Sequence, residues 1–189
     1  MAEIRTIAVI GAGTRGCDMA QISARGGFRT ILEDILPASL RRAESEIRSG
    51  FDLAIGVGEL TASQADAALA RIEYASSLEQ AAREADLLIE AVPEELESKI
   101  EIFTLLDKIA RPLTILACSS SGFSPTELAG VTYRSDKVIG LRLWIPAEGS
   151  ELLEIVRGRR TSDETAALCS RAVRSMGVQF MVTNEVSSI

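Results

Sequence analysis

The strongest constraint on this chain is a cluster of glycines directly after a short apolar segment. Residues 4–10 are mostly apolar and β-branched, and six residues rich in glycine follow them, Gly11-Ala12-Gly13-Thr14-Arg15-Gly16. An apolar run that ends in glycines indicates a strand that enters a tight turn. Met19 and Ile22 then recur at helical spacing, and residues 28–32 form a second apolar run. The N-terminal segment is therefore predicted to be a strand, a helix and a second strand.

Each glycine of this turn has a predicted role in binding a dinucleotide. In a G-x-G-x-x-G turn, Gly11 allows the tight turn, Gly13 leaves room for a pyrophosphate, and Gly16 lets the helix pack closely on the strand. The free N–H groups at the start of the helix favour phosphate. Thr14 lies at this helix start, and Arg15 either contacts phosphate or faces water. A glycine turn without any ligand is the alternative.

Asp34 stands at the end of the second predicted strand, 18 residues after Gly16. An acidic residue at about this distance accepts hydrogen bonds from the adenosine ribose, and its charge repels the 2′-phosphate of NADP. The three residues after Asp34 carry no positive charge and read Ile35-Leu36-Pro37. The pattern therefore predicts NAD as the cofactor.

Strands and helices alternate along the rest of the chain. Five further apolar runs indicate strands, at residues 87–92, 113–117, 138–143, 152–156 and 178–182. Pro146 and Gly149 predict a loop between two of them. Strands that alternate with helices form a mainly parallel sheet with helices on both faces. We expect an α/β fold of the Rossmann type, a doubly wound sheet, in a single domain that spans residues 1–189.

Residues 37–74 predict an inserted pair of helices. Thr61 and Gln64 form a capping-box signature at the start of the second helix. Ile72 is expected to lie in that helix and to face inward. The two helices are expected to meet near residues 56–58, so the insertion is a helical hairpin.

Charge and hydropathy exclude two classes of partner. Asp and Glu number 27 against 20 Lys and Arg, and the net charge of −7 opposes binding to the phosphates of a nucleic acid. The apolar runs are much shorter than the roughly 20 residues that a membrane-spanning helix needs. We expect a cytoplasmic protein that binds neither nucleic acid nor membrane.

Two residue types limit the chemistry. Cys17, Cys118 and Cys169 are widely separated, without the paired spacing of a zinc site or a disulfide framework, so we expect core thiols and no metal. The chain contains no histidine. Mechanisms in which an imidazole of this chain transfers a proton are therefore excluded.

The sequence resembles the NAD-binding domain of the L-3-hydroxyacyl-CoA dehydrogenases over most of its length. The shared motifs are the glycine turn, Leu60-Thr61, Ile89-Glu90-Ala91-Val92-Pro93-Glu94, Thr126-Glu127-Leu128, Val138-Ile139-Gly140-Leu141 and Leu153-Glu154-Ile155-Val156-Arg157-Gly158. The resemblance implies that Ala91, Glu94 and Lys99 contact the ribose and nicotinamide end of NAD. For Glu94 and Lys99 the alternative is an ordinary placement of charges at a solvent-exposed helix start.

The chain departs from this family at the acid/base pair. The resemblance implies a catalytic histidine with a glutamate 12 residues later, and Arg142 and Glu154 stand at these positions. Arginine stays protonated and cannot act as a general base. Ser121 matches the family's serine that binds the substrate hydroxyl, so Ser121, Arg142 and Glu154 are the candidate catalytic residues.

The pair of Arg142 and Glu154 has two interpretations. In the first, the two side chains form a buried ion pair with a purely structural role. In the second, Arg142 binds a carboxylate or a developing alkoxide together with Ser121. Glu154 or an ordered water then takes the proton.

Two further departures concern substrate and partners. The family commonly has a basic residue near the phosphates of CoA, where this chain has Glu59. Either a smaller ligand, or none, replaces CoA, or the change is a neutral one on the surface. The resemblance also implies a C-terminal helical domain, which we expect to be missing. The last strand would then be exposed, so we expect a homo-oligomer or a partner subunit.

Three functions remain open. The first is an NAD-dependent oxidoreductase of the 3-hydroxyacyl-CoA dehydrogenase type that acts on a small hydroxy or keto substrate. The second is a non-catalytic NAD-binding module, or a subunit that needs a partner chain to complete its site. The third is a scaffold that uses the fold for association alone.

Overall fold

The computed structural model describes residues 3–145 and 151–185. The elements in chain order are β1 (Thr6–Ile10), α1 (Thr14–Arg25), β2 (Arg29–Glu33), α2 (Pro37–Gly56), α3 (Ala62–Leu69), β3 (Ile72–Ala75), α4 (Leu78–Glu84), β4 (Leu87–Glu90), α5 (Leu96–Ile109), β5 (Ile115–Cys118), α6 (Pro125–Ala129), β6 (Val138–Trp144), β7 (Leu152–Arg157), α7 (Asp163–Met176) and β8 (Gln179–Asn184). The loop predicted at Pro146 and Gly149 lies outside the described residues.

One sheet holds the eight strands of the described chain, in the order β3-β2-β1-β4-β5-β6-β7-β8. Neighbouring strands are parallel, apart from the antiparallel pair β6 and β7. The predicted Rossmann-type fold is confirmed. The strand order reverses between β1 and β4, and a crevice at such a switch point is where doubly wound sheets bind ligands.

The helices cover both faces of the sheet because neighbouring strand residues point to opposite sides. Ile7 and Val9 of β1 enter one apolar cluster, with residues of α1, α2 and α7. Ala8 and Ile10 enter a second cluster, with residues of α4, α5 and α6. Burial on both faces explains why the central strands read as continuous apolar runs.

The inserted hairpin is shorter than the sequence predicts. Thr61 and Gln64 form the expected capping box. The placement of Ile72 in a helix is wrong, since α3 ends at Leu69 and Ile72 begins β3, which pairs with β2. A β-branched and an aromatic residue, Ile72 and Tyr74, favour an edge strand there.

The cysteines are core residues, as expected. Cys17, Cys118 and Cys169 are free and buried, and burial raises the pKa of each thiol to about 12. Within residues 3–145 and 151–185, no group of histidine, cysteine or carboxylate side chains is arranged to hold a metal ion. In the same part of the chain, none of the helices combines the length and apolar character needed to cross a membrane.

Candidate cofactor and substrate site

The glycine turn has the geometry that its sequence predicts. Gly11 adopts a φ of +105°, a left-handed conformation that favours glycine, and a Cβ there would lie 2.8 Å from the carbonyl oxygen of Ala91. A Cβ at Gly16 would lie 1.9 Å from the carbonyl oxygen of Gly11. A Cβ at Gly13 would meet no atom within 4 Å. Gly11 and Gly16 are therefore required by packing, whereas Gly13 borders open space.

Helix α1 directs its N-terminus at this open space. Gly13 is its N-cap residue, and neither a capping side chain nor an acidic residue occupies the first turn. Thr14 and Arg15 begin the helix and line the adjoining cavity. Uncapped N–H groups at a helix start provide a site for phosphate oxygens.

Asp34 is fixed beside the turn by backbone hydrogen bonds. Its Oδ2 accepts from the N–H of Ala12 at 3.0 Å, and its Oδ1 accepts from the N–H of Leu36 at 2.9 Å. The carboxylate lines the cavity and thus lies where the ribose contact is predicted. Arg42 of α2 also lines this cavity, a cation that inspection of only the three residues after Asp34 missed. Helical spacing from Pro37 was the available signal.

The cavity beside the turn has a volume of about 820 Å³ and follows the carboxyl ends of β1, β2 and β4. Ala91 and Glu94 line it, as the resemblance implies. Glu94 Oε1 accepts hydrogen bonds from Ser120 Oγ at 2.7 Å and from Arg15 Nη1 at 2.9 Å. These two donors, Ser120 first, lower the pKa of Glu94. Glu94 therefore joins the glycine turn to the end of β5.

Lys99 is not a solvent-exposed charge, so that alternative is wrong for this residue. Its side chain is fully buried, and its Nζ donates to Glu90 Oε1 at 2.7 Å and to the carbonyl oxygen of Val92 at 3.4 Å. Burial raises the pKa of Glu90, and the hydrogen bond from Lys99 opposes that rise. The structure thus gives Lys99 a role in holding the segment after β4. Its contact with the cofactor stays a prediction.

The three candidate catalytic residues lie together in a second cavity. This cavity has a volume of about 340 Å³, and Ser121, Arg142 and Glu154 line it. Arg142 and Glu154 are direct partners in the antiparallel pair of β6 and β7. Arg142 Nη1 lies 3.8 Å from Glu154 Oε2, within ion-pair distance.

Protein groups hold both charged side chains in place. Arg142 Nε donates to the carbonyl oxygen of Ser120 at 2.8 Å, and Arg142 Nη2 donates to that of Phe123 at 3.4 Å. Glu154 accepts from Trp144 Nε1 at 3.3 Å and from Thr183 Oγ1 at 2.8 Å. Arg142 therefore shapes the loop after β5, and Glu154 is oriented towards the cavity.

Ser120 is a site residue that the sequence analysis did not single out. Its buried hydroxyl donates to Glu94 and accepts from the N–H groups of Gly122 and Phe123. It therefore connects the large cavity with the loop that carries Ser121. The run of three serines was a visible signal, but it did not show which serine turns inward.

The fold and the site define a class. A doubly wound sheet with a glycine turn at its switch point, an open helix N-terminus and an acid after β2 is a dinucleotide-binding Rossmann domain. Comparison with known proteins gives the particular family. Residues 6–186 match the family described as 3-hydroxyacyl-CoA dehydrogenase, NAD binding domain, and the chain belongs to this family.

Relatives and solved structures agree with this assignment. The chain is 34% identical over 183 residues to a probable 3-hydroxybutyryl-CoA dehydrogenase of Bacillus subtilis, covering 97% of this chain and 63% of that protein. It is 30% identical over 182 residues to a 5-formyl-3-hydroxy-2-methylpyridine 4-carboxylate 5-dehydrogenase of Mesorhizobium japonicum, covering 96% and 58%. The crystal structure of (S)-3-hydroxybutyryl-CoA dehydrogenase from Ralstonia eutropha superposes with a TM-score of 0.91 at 32% identity, covering 97% and 65%. The chain thus spans about three-fifths of the length of these proteins.

NAD is the cofactor of this family's domain, and the residues of the cavity fit it. The open space at Gly13 and the uncapped start of α1 suit a pyrophosphate. Asp34 offers carboxylate oxygens beside that position. When bound, NAD supplies the acceptor for a hydride.

Proposed function

We propose that this chain is the cofactor-binding part of an NAD(H)-dependent oxidoreductase of the 3-hydroxyacyl-CoA dehydrogenase type with an atypical acid/base site. The observation that supports this is the adjacency of two cavities. Ser120 and Glu94 connect the cavity that fits NAD with the cavity that contains Ser121, Arg142 and Glu154. A substrate in the second cavity would be close to the nicotinamide end of the first.

The proton chemistry must proceed without imidazole. We assign the proton to Glu154, directly or through a water, because it is the carboxylate that faces Ser121 and Arg142 across the cavity. Ser121 hydrogen-bonds the substrate oxygen. Arg142 Nη1 makes no hydrogen bond to Glu154 at 3.8 Å, so its N–H groups can bind an alkoxide or a carboxylate.

The substrate is proposed to be a hydroxy or keto compound, either an acyl thioester or a small acid. Arg142 in the second cavity suits a substrate with its own carboxylate. The relative from Mesorhizobium japonicum, whose name describes a pyridine carboxylate, supports a substrate without CoA. Glu59, exposed at the tip of the hairpin, further disfavours the phosphates of CoA.

The test restores the missing base. Purified Arg142→His and the parent protein are assayed for NADH formation with NAD and either 3-hydroxybutyrate or 3-hydroxybutyryl-CoA. A well-placed general base contributes about 10²- to 10⁴-fold, so Arg142→His is expected to raise the rate at least tenfold. Arg142→Gln, which removes the charge without adding a base, should show no gain. Failure of the parent protein and of both variants to reduce NAD would overturn the proposal.

A second candidate function is a non-catalytic NAD-binding module, or a subunit completed by a partner chain. It is favoured by the hydrogen bonds that Arg142 and Glu154 already make within the protein. Saturable NADH binding without turnover of either substrate would support it. Turnover by the chain alone would exclude it.

We further propose that the chain associates through the β8 edge of the sheet, with a second copy of itself or with a partner subunit. Trp144, Met181 and Val182 are each about half exposed on β6 and β8. Apolar side chains beside an open sheet edge favour association. The three free thiols fit a reducing compartment, so we propose the cytoplasm as the location.

A further inference from the structure

The nucleotide cavity has two ends of different character, and this inference rests on its binding NAD as proposed. At one end, Glu94 adjoins Ser120 and the substrate cavity. At the other end, Glu33 and Leu78 line the wall beyond Asp34. The nicotinamide must reach the substrate, and Asp34 marks the adenosine ribose. The adenine therefore occupies the end with Glu33.

The walls at the adenine end are largely apolar. Ile10, Leu78, Val92 and Ile102 line the cavity, and they belong to or pack on the apolar cluster between the sheet and helices α4 and α5. Flat apolar walls suit the two faces of a purine ring. They offer nothing to the polar edge of the base, where adenine carries an amino group.

Glu33 is the carboxyl group within this apolar region. It is the last residue of β2 and lies on the same face of the strand as Ile31, two residues earlier. Its side chain is only 5% exposed, yet it lines the cavity. Among the residues that the structure describes, none donates a hydrogen bond to this carboxyl.

A buried carboxyl without a donor is costly. Burial, and secondly the charge of Asp34, raise the pKa of Glu33 to about 7. A ligand that brings a hydrogen-bond donor to this position would remove the cost. The Glu33 side chain is therefore available to a bound base and is not occupied by the protein.

We propose that Glu33 accepts a hydrogen bond from the exocyclic amine of adenine and makes the site selective for this base. Hypoxanthine carries a carbonyl in place of the amine, so two acceptors would face each other. A hydrogen bond to a charged group corresponds to roughly 10- to 100-fold in affinity. The selectivity is thus expected to be large enough to measure by direct titration.

The experiment compares NADH with its hypoxanthine analogue, reduced nicotinamide hypoxanthine dinucleotide. Both are titrated by nicotinamide fluorescence at about pH 8, where the carboxyl is ionised. The parent protein is expected to bind NADH at least tenfold more tightly. Glu33→Met should weaken NADH alone and bring the ratio of the two affinities close to one. Glu33→Gln should keep NADH affinity and strengthen the analogue, because its amide can also donate.

Asp34→Asn is the matched control, because the ribose is the same in both dinucleotides. It should weaken both and leave their ratio unchanged. Equal affinities for the parent protein, or a ratio that Glu33→Met leaves unaltered, would overturn the role of Glu33. Absence of binding by either dinucleotide would instead refute the NAD site itself, so the two failures are distinguishable.

Discussion

Glu33 places an ionisable group where charge is costly, and protein stability should report this cost. Its pKa rises from 4.5 to about 7 in the folded protein, so the folded state holds a proton that the unfolded state has released between these values. The free energy of unfolding therefore falls as pH rises through this range.

We predict that Glu33→Gln removes this pH dependence. Relative to the parent protein, the variant should gain up to about 3 kcal/mol in free energy of unfolding between about pH 5 and about pH 8. Urea titrations at the two pH values measure the difference. A constant difference at both pH values would show that the carboxyl titrates normally.

The pair of Lys99 and Glu90 presents the opposite case, a buried charge with a buried partner. Lys99→Met would leave the Glu90 carboxylate unpaired, at a cost of about 3 to 5 kcal/mol in free energy of unfolding. Adding Glu90→Gln should recover most of this loss, because an uncharged amide then replaces the lone carboxylate. A double variant in which the two losses simply add would contradict the coupling seen at 2.7 Å.

At the scale of elements, the glycine turn separates two requirements that the motif combines. Gly16 is needed so that α1 can approach the turn after β1, since a Cβ would overlap Gly11. Gly13 has no such neighbour. The motif thus contains one glycine for the fold and one for the ligand.

We predict that Gly16→Ala and Gly13→Ala differ accordingly. Gly16→Ala should lower the free energy of unfolding by about 1 to 3 kcal/mol, the usual cost of overpacking. Gly13→Ala should change stability little and weaken NADH binding, because its methyl group would project towards the pyrophosphate. Thermal unfolding and fluorescence titration of both variants test the distinction. Equal loss of stability in the two variants would refute it.

At the scale of the whole molecule, the open β8 edge predicts association. Light scattering at micromolar concentration should give at least twice the mass of one chain. Val182→Lys places a charge on the half-exposed edge and should shift the mass to that of a monomer. Tyr133→Lys, at a fully exposed residue elsewhere on the surface, should leave the mass unchanged. A monomeric parent protein would contradict the proposed assembly.

The sequence by itself determined the architecture and the cofactor end of the site. The glycine turn, the acid after β2 and the capping box are local patterns, because each depends on residues close together in the chain. The alternation of apolar runs likewise predicted a mainly parallel sheet. These features needed no knowledge of which strands are neighbours.

Tertiary structure decided which distant residues meet. Ser120 contacts Glu94 because β5 lies beside β4, and Lys99 reaches Glu90 because α5 folds back over the sheet. Ile72 joined a strand because β2 offered it a pairing edge. Strand order and packing impose these contacts, and no local pattern of residues encodes them.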